Sequence, residues 1–388
     1  MRARGFDAES RALVGAPDSL DVRLAEVLPA GALYAVGGRV RDEVRAELAG
    51  SPVPLVDRDY LVVGLGLDEL LERLQPLGRV DVVGASFAVV KLTHDGVTVD
   101  VALARRERST GPGHRDFAVE GGPQVPLEED LARRDFRMNM LARRLPGGEL
   151  VDPYGGLADI RAGRIEILRR EAFAEDPLRM LRACQFAARL GFAVGEAALA
   201  AMREAAPRVA SVSPERVRDE LVKLLGAARP SLGLEAMRAG GLVGYVLPEL
   251  AEGIGVEQNR YHAFDVWAHA LATADAAPPE DLALRLAALF HDVGKPRTKD
   301  GEHFYRHEIV GAEMTQSRLG SLRFPNETVA EASALVRQHM YAADPEHSDA
   351  ALRRFIRRVG RERLGRQFAL RAADVVGSGL PKRDDRNE

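Results

Sequence analysis

The chain has one cysteine, Cys184, among 388 residues. No internal disulfide can form and a cysteine-rich zinc site is excluded, so a reducing cytoplasm is the expected compartment. Long apolar runs are missing as well. The start, Met1-Arg2-Ala3-Arg4-Gly5-Phe6, contains no apolar stretch of signal-peptide length, and no later window is apolar enough to span a bilayer. Aromatic residues make up only 5%, and leucine and alanine dominate, which favours helices over β-sandwiches. Charge of one sign is not in large excess: 54 basic and 58 acidic residues leave a net charge of −4, which excludes a general nucleic-acid coat protein but not local patches. What is present, 46% hydrophobic and 29% charged residues, is the composition of a soluble globular protein. The length exceeds one ordinary core, so about two to four domains are expected.

The most informative stretch is Leu33-Tyr34-Ala35-Val36-Gly37-Gly38-Arg39-Val40-Arg41-Asp42, followed by Asp57-Arg58-Asp59-Tyr60. Its apolar residues predict a short buried strand, the glycine pair a tight turn, and Arg39–Leu48 a helix. Such a turn is a phosphate cradle: Gly37 and Gly38 admit an anion, the helix N-terminus offers free N–H groups, and Arg41 stands one turn in to pair with phosphate oxygens. In a strand Asp57 and Asp59 project from one face, where two carboxylates hold Mg²⁺ against a triphosphate. Gly-Gly turns and Asp-x-Asp pairs are each commonplace alone; their order and spacing give them weight.

Residues 1–30 read as packing for the first strand, with a helix over Leu20–Val27. From Ala32 to about Pro153 strands dominate: Tyr60–Val63, Arg79–Val83, Phe87–Thr93 and Val97–Ala102, with a helix over Leu67–Leu74. This is a small mixed sheet with helices to one side. Asp100, in the last of these strands, is either a third carboxylate near the metals or an edge acid. Gly, Pro, Ser and charge between Arg105 and Glu128 predict a long mobile loop. After it, arginine forks at Arg133 and Arg134 suit triphosphate oxygens, with Asp135 and Asn139 to orient them; a helical salt-bridge face is the plain alternative. A turn-rich bridge, Val151–Ile165, closes the first domain, and the rest is helical. Asp176, Arg179 and Arg182 fall three apart, Pro177 marks the first turn of their helix and Gly191 its end.

Together with Arg133-Arg134-Asp135, Asp152-Pro153-Tyr154-Gly155-Gly156 and Glu175-Asp176-x-x-Arg179, the first stretch resembles the nucleotidyltransferase superfamily, specifically the bacterial class II CCA-adding enzymes of the tRNA nucleotidyltransferase and poly(A) polymerase branch. The resemblance implies an α/β head (1–153) and an all-α neck and body that binds the tRNA acceptor end (154–250). It implies that Gly38, Arg41 and Arg134 bind the triphosphate, that Asp57 and Asp59 bind Mg²⁺, and that Asp176, Arg179 and Arg182 read the base of CTP or ATP. Gln185 departs from the family's further arginine, and Arg137-Met138-Asn139-Met140 from its usual Thr-Ile-Asn-Ala.

A second constellation follows. His291-Asp292 comes directly after an apolar helix, Leu282–Phe290, with His269 before it and Asp374 after, a pattern suited to a divalent cation. It resembles an all-α HD phosphohydrolase domain (251–388), which implies His307 and His339 as further ligands of Mn²⁺, Ni²⁺ or Mg²⁺. Eight arginines from Arg353 to Arg371 face only Glu362, either as a solvated helix face or as an RNA backbone contact.

The expected activity is template-independent CCA addition to tRNA, with a phosphatase or 2′,3′-cyclic phosphodiesterase in the HD domain. The competing readings are an A-adding enzyme, a poly(A) polymerase and an HD phosphohydrolase with an inactive head. The full-length 105–128 loop argues, by resemblance, against a CC-only enzyme.

Overall fold

A computed structural model describes residues 19–52, 58–83, 89–109, 117–258, 263–341 and 348–379. The chain packs as two compact units, Met1–Asp176 and Pro177–Glu388.

The first unit opens with α1 (Ser19–Val27), β1 (Leu33–Val36) and α2 (Gly38–Ala49), then β2 (Asp59–Val62), α3 (Leu67–Leu74), β3 (Arg79–Val83), β4 (Val89–His94) and β5 (Val97–Leu103). It continues with β6 (Arg105–Ser109), β7 (Phe117–Gly121), α4 (Leu127–Ala132), β8 (Ala142–Arg144), β9 (Leu150–Val151), α5 (Gly156–Arg161) and α6 (Ala172–Glu175). Seven strands form one mixed sheet in the order β3-β4-β5-β2-β1-β8-β9, in which β2 and β5 run parallel. The region expected as a loop after Arg105 is instead, where described, an antiparallel hairpin of β6 and β7. The sequence of β6, Arg105-Arg106-Glu107-Arg108-Ser109, has none of the apolar alternation that signals a half-buried strand.

Alternation along β2 explains why helices cover both faces of the sheet rather than one. Tyr60 and Leu61 point to opposite sides. On the Leu61 side, Tyr34, Val36, Leu127, Leu131 and Ala142 form a core cluster that seats α4. On the other, the Tyr60 hydroxyl donates to Asp21 of α1 at 2.6 Å, and Arg39 of α2 grips the same carboxylate at 3.0 and 2.6 Å. Asp59 has the parity of Leu61, so it faces the α4 side.

The second unit is helical: α7 (Leu178–Leu190), α8 (Glu196–Ala205), α9 (Pro214–Leu225), α10 (Pro230–Ala239), α11 (Val243–Val246), α12 (Pro248–Ala251), α13 (Val266–Ala276), α14 (Leu282–Phe290), α15 (Lys295–Thr298), α16 (His307–Ser321), α17 (Asn326–Gln338), α18 (Asp349–Val359) and α19 (Leu364–Gly377). Its earlier and later helices are joined by polar bonds. Ser231 donates twice to Asp275, at 2.9 and 2.6 Å, and Trp267 Nε1 donates to Glu235 at 2.7 Å. Arg285 is 1% exposed and spends its donors on the carbonyls of Ala277 (2.8 Å), Leu225 (2.8 Å) and Ala227 (2.7 Å), tying α14 to the ends of α9 and α13. Replacing it by methionine strands those carbonyls. Arg285→Met is expected to cost about 3 kcal/mol of stability, seen as an earlier urea midpoint by circular dichroism; an unchanged midpoint would refute this role.

Candidate functional site

In the first unit the site is built on the turn from β1 into α2. Gly37 has φ 70° and ψ −137°, a conformation open essentially to glycine alone, and no side chain caps α2. The first-turn N–H groups of α2 are therefore available to an anion. A Cβ on Gly37 would stand 3.1 Å from the Arg134 guanidinium and 3.6 Å from Asp59 Oδ2. The turn thus brings together an anion-binding helix end, a cation and a carboxylate.

Asp130, fully buried on α4, holds the arginines in place. Its Oδ1 accepts from Arg133 Nε at 3.0 Å and its Oδ2 from an Arg134 nitrogen at 3.0 Å. Sequence reading missed this residue, although its spacing of three and four from the arginines is that of a helical ion pair. Arg134 Nε is buried with no hydrogen-bond partner among the described residues. That orphan donor fits an anion.

Arg41 differs from expectation. It is 4% exposed, with its fork on Asp42 at 2.9 and 2.7 Å and a third bond to Asn139 Oδ1 at 2.9 Å. Asn139 in turn donates to Asp135 at 2.8 Å. Asp57 lies outside the described residues. Asp100 stands opposite Asp59 in register, half exposed, and accepts from Lys91 at 2.9 Å. Arg137, one of the departures from the family pattern, is bound bidentately by buried Asp159 at 2.7 and 2.6 Å.

Asp176 does not begin the next helix. It closes α6 in an extended conformation (φ −134°, ψ 95°), as a residue before proline prefers, and α7 starts at Leu178 behind Pro177. Asp176 therefore shares no helical face with Arg179 and Arg182, which both lie on α7. Arg182 sits over the Phe186 ring at 5.5 Å. Gln185 is 2% exposed, and its Nε2 has no partner among the described residues.

In the second unit all six expected ligands meet. His269, His291 and Asp374 form one group, and Asp292, His307 and His339 another, each with donor atoms within 4.8 Å of one another. The Nδ1 atom of every histidine contacts a backbone carbonyl: His269 to Gly377 (3.0 Å), His291 to Ala288 (2.8 Å), His307 to Phe304 (2.7 Å) and His339 to Val336 (2.7 Å). A carbonyl can only accept, so each Nδ1 carries a proton and each neutral ring turns an Nε2 lone pair inward. The pair His269 and His291 brings two Nε2 atoms to 3.0 Å, and His307 and His339 to 3.2 Å. A metal ion or a shared proton between them would relieve this approach.

Asp292 bridges the groups. Its Oδ2 is 3.2 Å from His291 and 3.5 Å from His269, while its Oδ1 is 3.3 Å from His307 and 3.6 Å from His339. Burial opposes the ionisation of Asp292, yet His291 and Lys295 hold its carboxyl well below the usual range. Burial alone would lower His291, but Asp292 and Asp374 raise it; at His339 burial wins and the ring is lowered. Lys295, also missed by sequence reading, donates to Asp292 at 2.6 Å and to Gln258 at 2.5 Å. Gly294 is required because a Cβ there would strike the His307 carbonyl.

Comparison with known proteins follows this division. Residues 33–166 match the poly A polymerase head domain, 191–254 the probable RNA and SrmB-binding site of polymerase A, and 259–376 the HD domain. A multifunctional CCA protein of Nitrosococcus oceani is 40% identical over 318 residues, covering 79% of this chain and 74% of the relative. The chain belongs to the multifunctional CCA protein family. Its Burkholderia multivorans relative of the same name is 36% identical over 89% of this chain and 85% of its own. Among solved structures, the Bacillus stearothermophilus CCA-adding enzyme in complex with CTP aligns with a TM-score of 0.65 and 27% identity, covering 90% of this chain and 74% of that one.

Heads and HD domains of this kind are generally metal-dependent, and the donors present fit that requirement: a carboxylate beside a triphosphate-type cradle, and four oriented imidazoles around a bridging carboxylate. Asp292→Ala is expected to remove both HD sites at once, whereas Asp374→Ala weakens one. Isothermal titration with Mn²⁺ in the absence of nucleotide measures this; full stoichiometry in Asp292→Ala would show that the carboxylate is no bridge.

Proposed function

We propose that this multifunctional CCA protein family member adds CCA to the 3′ end of tRNA from CTP and ATP without a nucleic-acid template. The observation that carries the reading is the Gly37 turn, where Asp59 and Arg134 both stand within reach of one missing Cβ. The name of the relatives and the CTP complex of the Bacillus CCA-adding enzyme support the CCA and nucleotide assignment.

In this reaction the terminal ribose 3′-OH attacks the α-phosphorus in line. The new P–O bond forms as the bond to the bridging oxygen breaks, pyrophosphate leaves, and the hydroxyl proton is released. Mg²⁺ held by Asp59 and Asp57 would supply a lowered hydroxyl pKa and screening of the leaving phosphates. Gly38 admits the triphosphate to the α2 N-terminus, Arg134 pairs with its oxygens, and Arg41 lends positive charge from its fixed place beside Asp42 and Asn139. Asp176 accepts from the exocyclic amine of cytosine or adenine, while Arg179 and Arg182 donate to the adjacent ring nitrogen and acceptors. Uracil and guanine present a carbonyl where the acid needs a donor.

The HD unit contributes a separate phosphohydrolase that acts on phosphomonoesters or 2′,3′-cyclic phosphates with Mn²⁺, Ni²⁺ or Mg²⁺. The six converging ligands support it. No described helix is long and apolar enough to cross a membrane.

The deciding experiment offers tRNAs ending before CCA, after C and after CC, each with CTP, ATP or both, to wild type and Asp59→Asn. Complete CCA on the shortest tRNA is expected from wild type. Turnover should fall by about three orders of magnitude or more in the variant, because a charged metal ligand is lost without loss of volume. Extension of only the CC-ended tRNA with ATP would establish an A-adding enzyme, a long A tail a poly(A) polymerase, and no extension an inactive head.

A further inference from the structure

The HD ligands are not equally buried. Five side chains are between 0% and 6% exposed, whereas Asp374 of α19 is 14% exposed, so solvent reaches the site on the α19 side. The surface around that opening is aromatic and basic. Arg371 donates to Asp374 at 2.9 Å, and Phe368, one turn earlier on the same face, is 52% exposed. Phe368 belongs to a cluster with Tyr341 (6.2 Å between ring centroids) and Phe355 (6.3 Å), and Tyr341 stands two residues beyond the ligand His339. Arg358 extends the surface, its guanidinium 5.7 Å from the Phe355 ring.

The charge of this face selects its partner. Helix α18 carries four arginines against one aspartate, and only Arg353 approaches that aspartate, at 3.8 Å. Arg363 and Arg366 are neutralised by Glu331 and Asp281, which leaves Arg354, Arg357 and Arg358 of α18 without an acidic partner among the described residues. An exposed ring backed by two half-buried ones, beside arginines without acidic partners, supplies the two elements of a single-strand platform: a base stacks on Phe368 and phosphates pair with the guanidinium groups. An acidic or apolar protein partner would use one element and leave the other idle.

We propose that Tyr341, Phe355, Arg358, Phe368 and Arg371 form a platform that delivers the single-stranded 3′ end of an RNA to the HD ligands, so that this unit acts on RNA ends in preference to free nucleotides. The proposal rests on the phosphohydrolase reading above and names its substrate class. For a 2′,3′-cyclic phosphate end, water adds to phosphorus, one ring P–O bond breaks, and the released ribose oxygen takes the proton. The platform acts by holding the preceding nucleotides, which raises affinity without touching the reacting phosphorus.

The test uses the full chain with Mn²⁺ and two substrates, cytidine 2′,3′-cyclic phosphate and a six-nucleotide single-stranded RNA with the same end. A parallel arm crosslinks that RNA through a penultimate 4-thiouridine and maps the peptides by mass spectrometry. Wild type is expected to favour the RNA. Phe368→Ala and Arg358→Glu, both at exposed positions, should each lower the RNA-to-mononucleotide ratio of kcat/KM about tenfold, chiefly through KM, as the loss of one stacked base does. Crosslinks should map to α18 and α19 and be lost in both variants. Hydrolysis with no RNA preference and no crosslink there overturns the platform, gives this face to a protein partner and leaves the phosphohydrolase standing. Crosslinks at α18 and α19 without hydrolysis of either substrate support the platform and overturn the phosphohydrolase.

Discussion

A side chain at residue 37 would be strained and crowded. Its backbone has φ 70°, and a Cβ there would stand 3.1 Å from the Arg134 guanidinium and 3.6 Å from the Asp59 carboxylate. Three elements distant in sequence meet because one atom is missing there: the end of β1, the start of β2 and the turn after α4. Asp130 of α4 engages Arg134 at 3.0 Å and fixes its place in the turn. The same economy fixes Arg41 through Asp42 and Asn139. On the proposed reading a triphosphate would meet charges that are already oriented, and binding would not have to order them.

The helical unit solves a related problem with backbone carbonyls. An imidazole has two nitrogens, and a ligand is useful only if the correct one is free of its proton. Here a carbonyl three residues earlier on the chain accepts a hydrogen bond from Nδ1–H of His291, His307 and His339, and the Gly377 carbonyl of α19 accepts that of His269, which keeps the proton on Nδ1. The first three ligands are thus set by local helix-end geometry, and only His269 and Asp374 depend on α13 meeting α19. Gly377 also allows that meeting, since a Cβ there would strike Thr273 of α13.

Residues in regular elements or recognisable motifs were the legible ones. Helices over Leu67–Leu74 and Leu282–Phe290 lie where apolar spacing predicts them, and the six HD ligand types come together in space. Asp130, Asp42 and Lys295 escaped because a surface salt bridge and a buried clamp look alike in sequence; only packing reveals which is desolvated. The β6 and β7 hairpin escaped because its pairing is written in backbone hydrogen bonds rather than in apolar alternation. A spacing of three places Asp176 on a helix with Arg179 and Arg182, and Pro177 breaks that helix before it reaches Asp176. Asp57 stands outside the described residues, so the carboxylate pair is represented here by Asp59 alone.

The central claim, that the Gly37 turn is a nucleotide site, is open to one direct measurement. Crystals grown with CTP and Mn²⁺ and measured at the manganese edge would locate ion and nucleotide independently. An anomalous peak is expected beside Asp59, with the triphosphate against the α2 N-terminus and within hydrogen-bond distance of Arg134. An ordered CTP bound elsewhere, with no ion at Asp59, would contradict it.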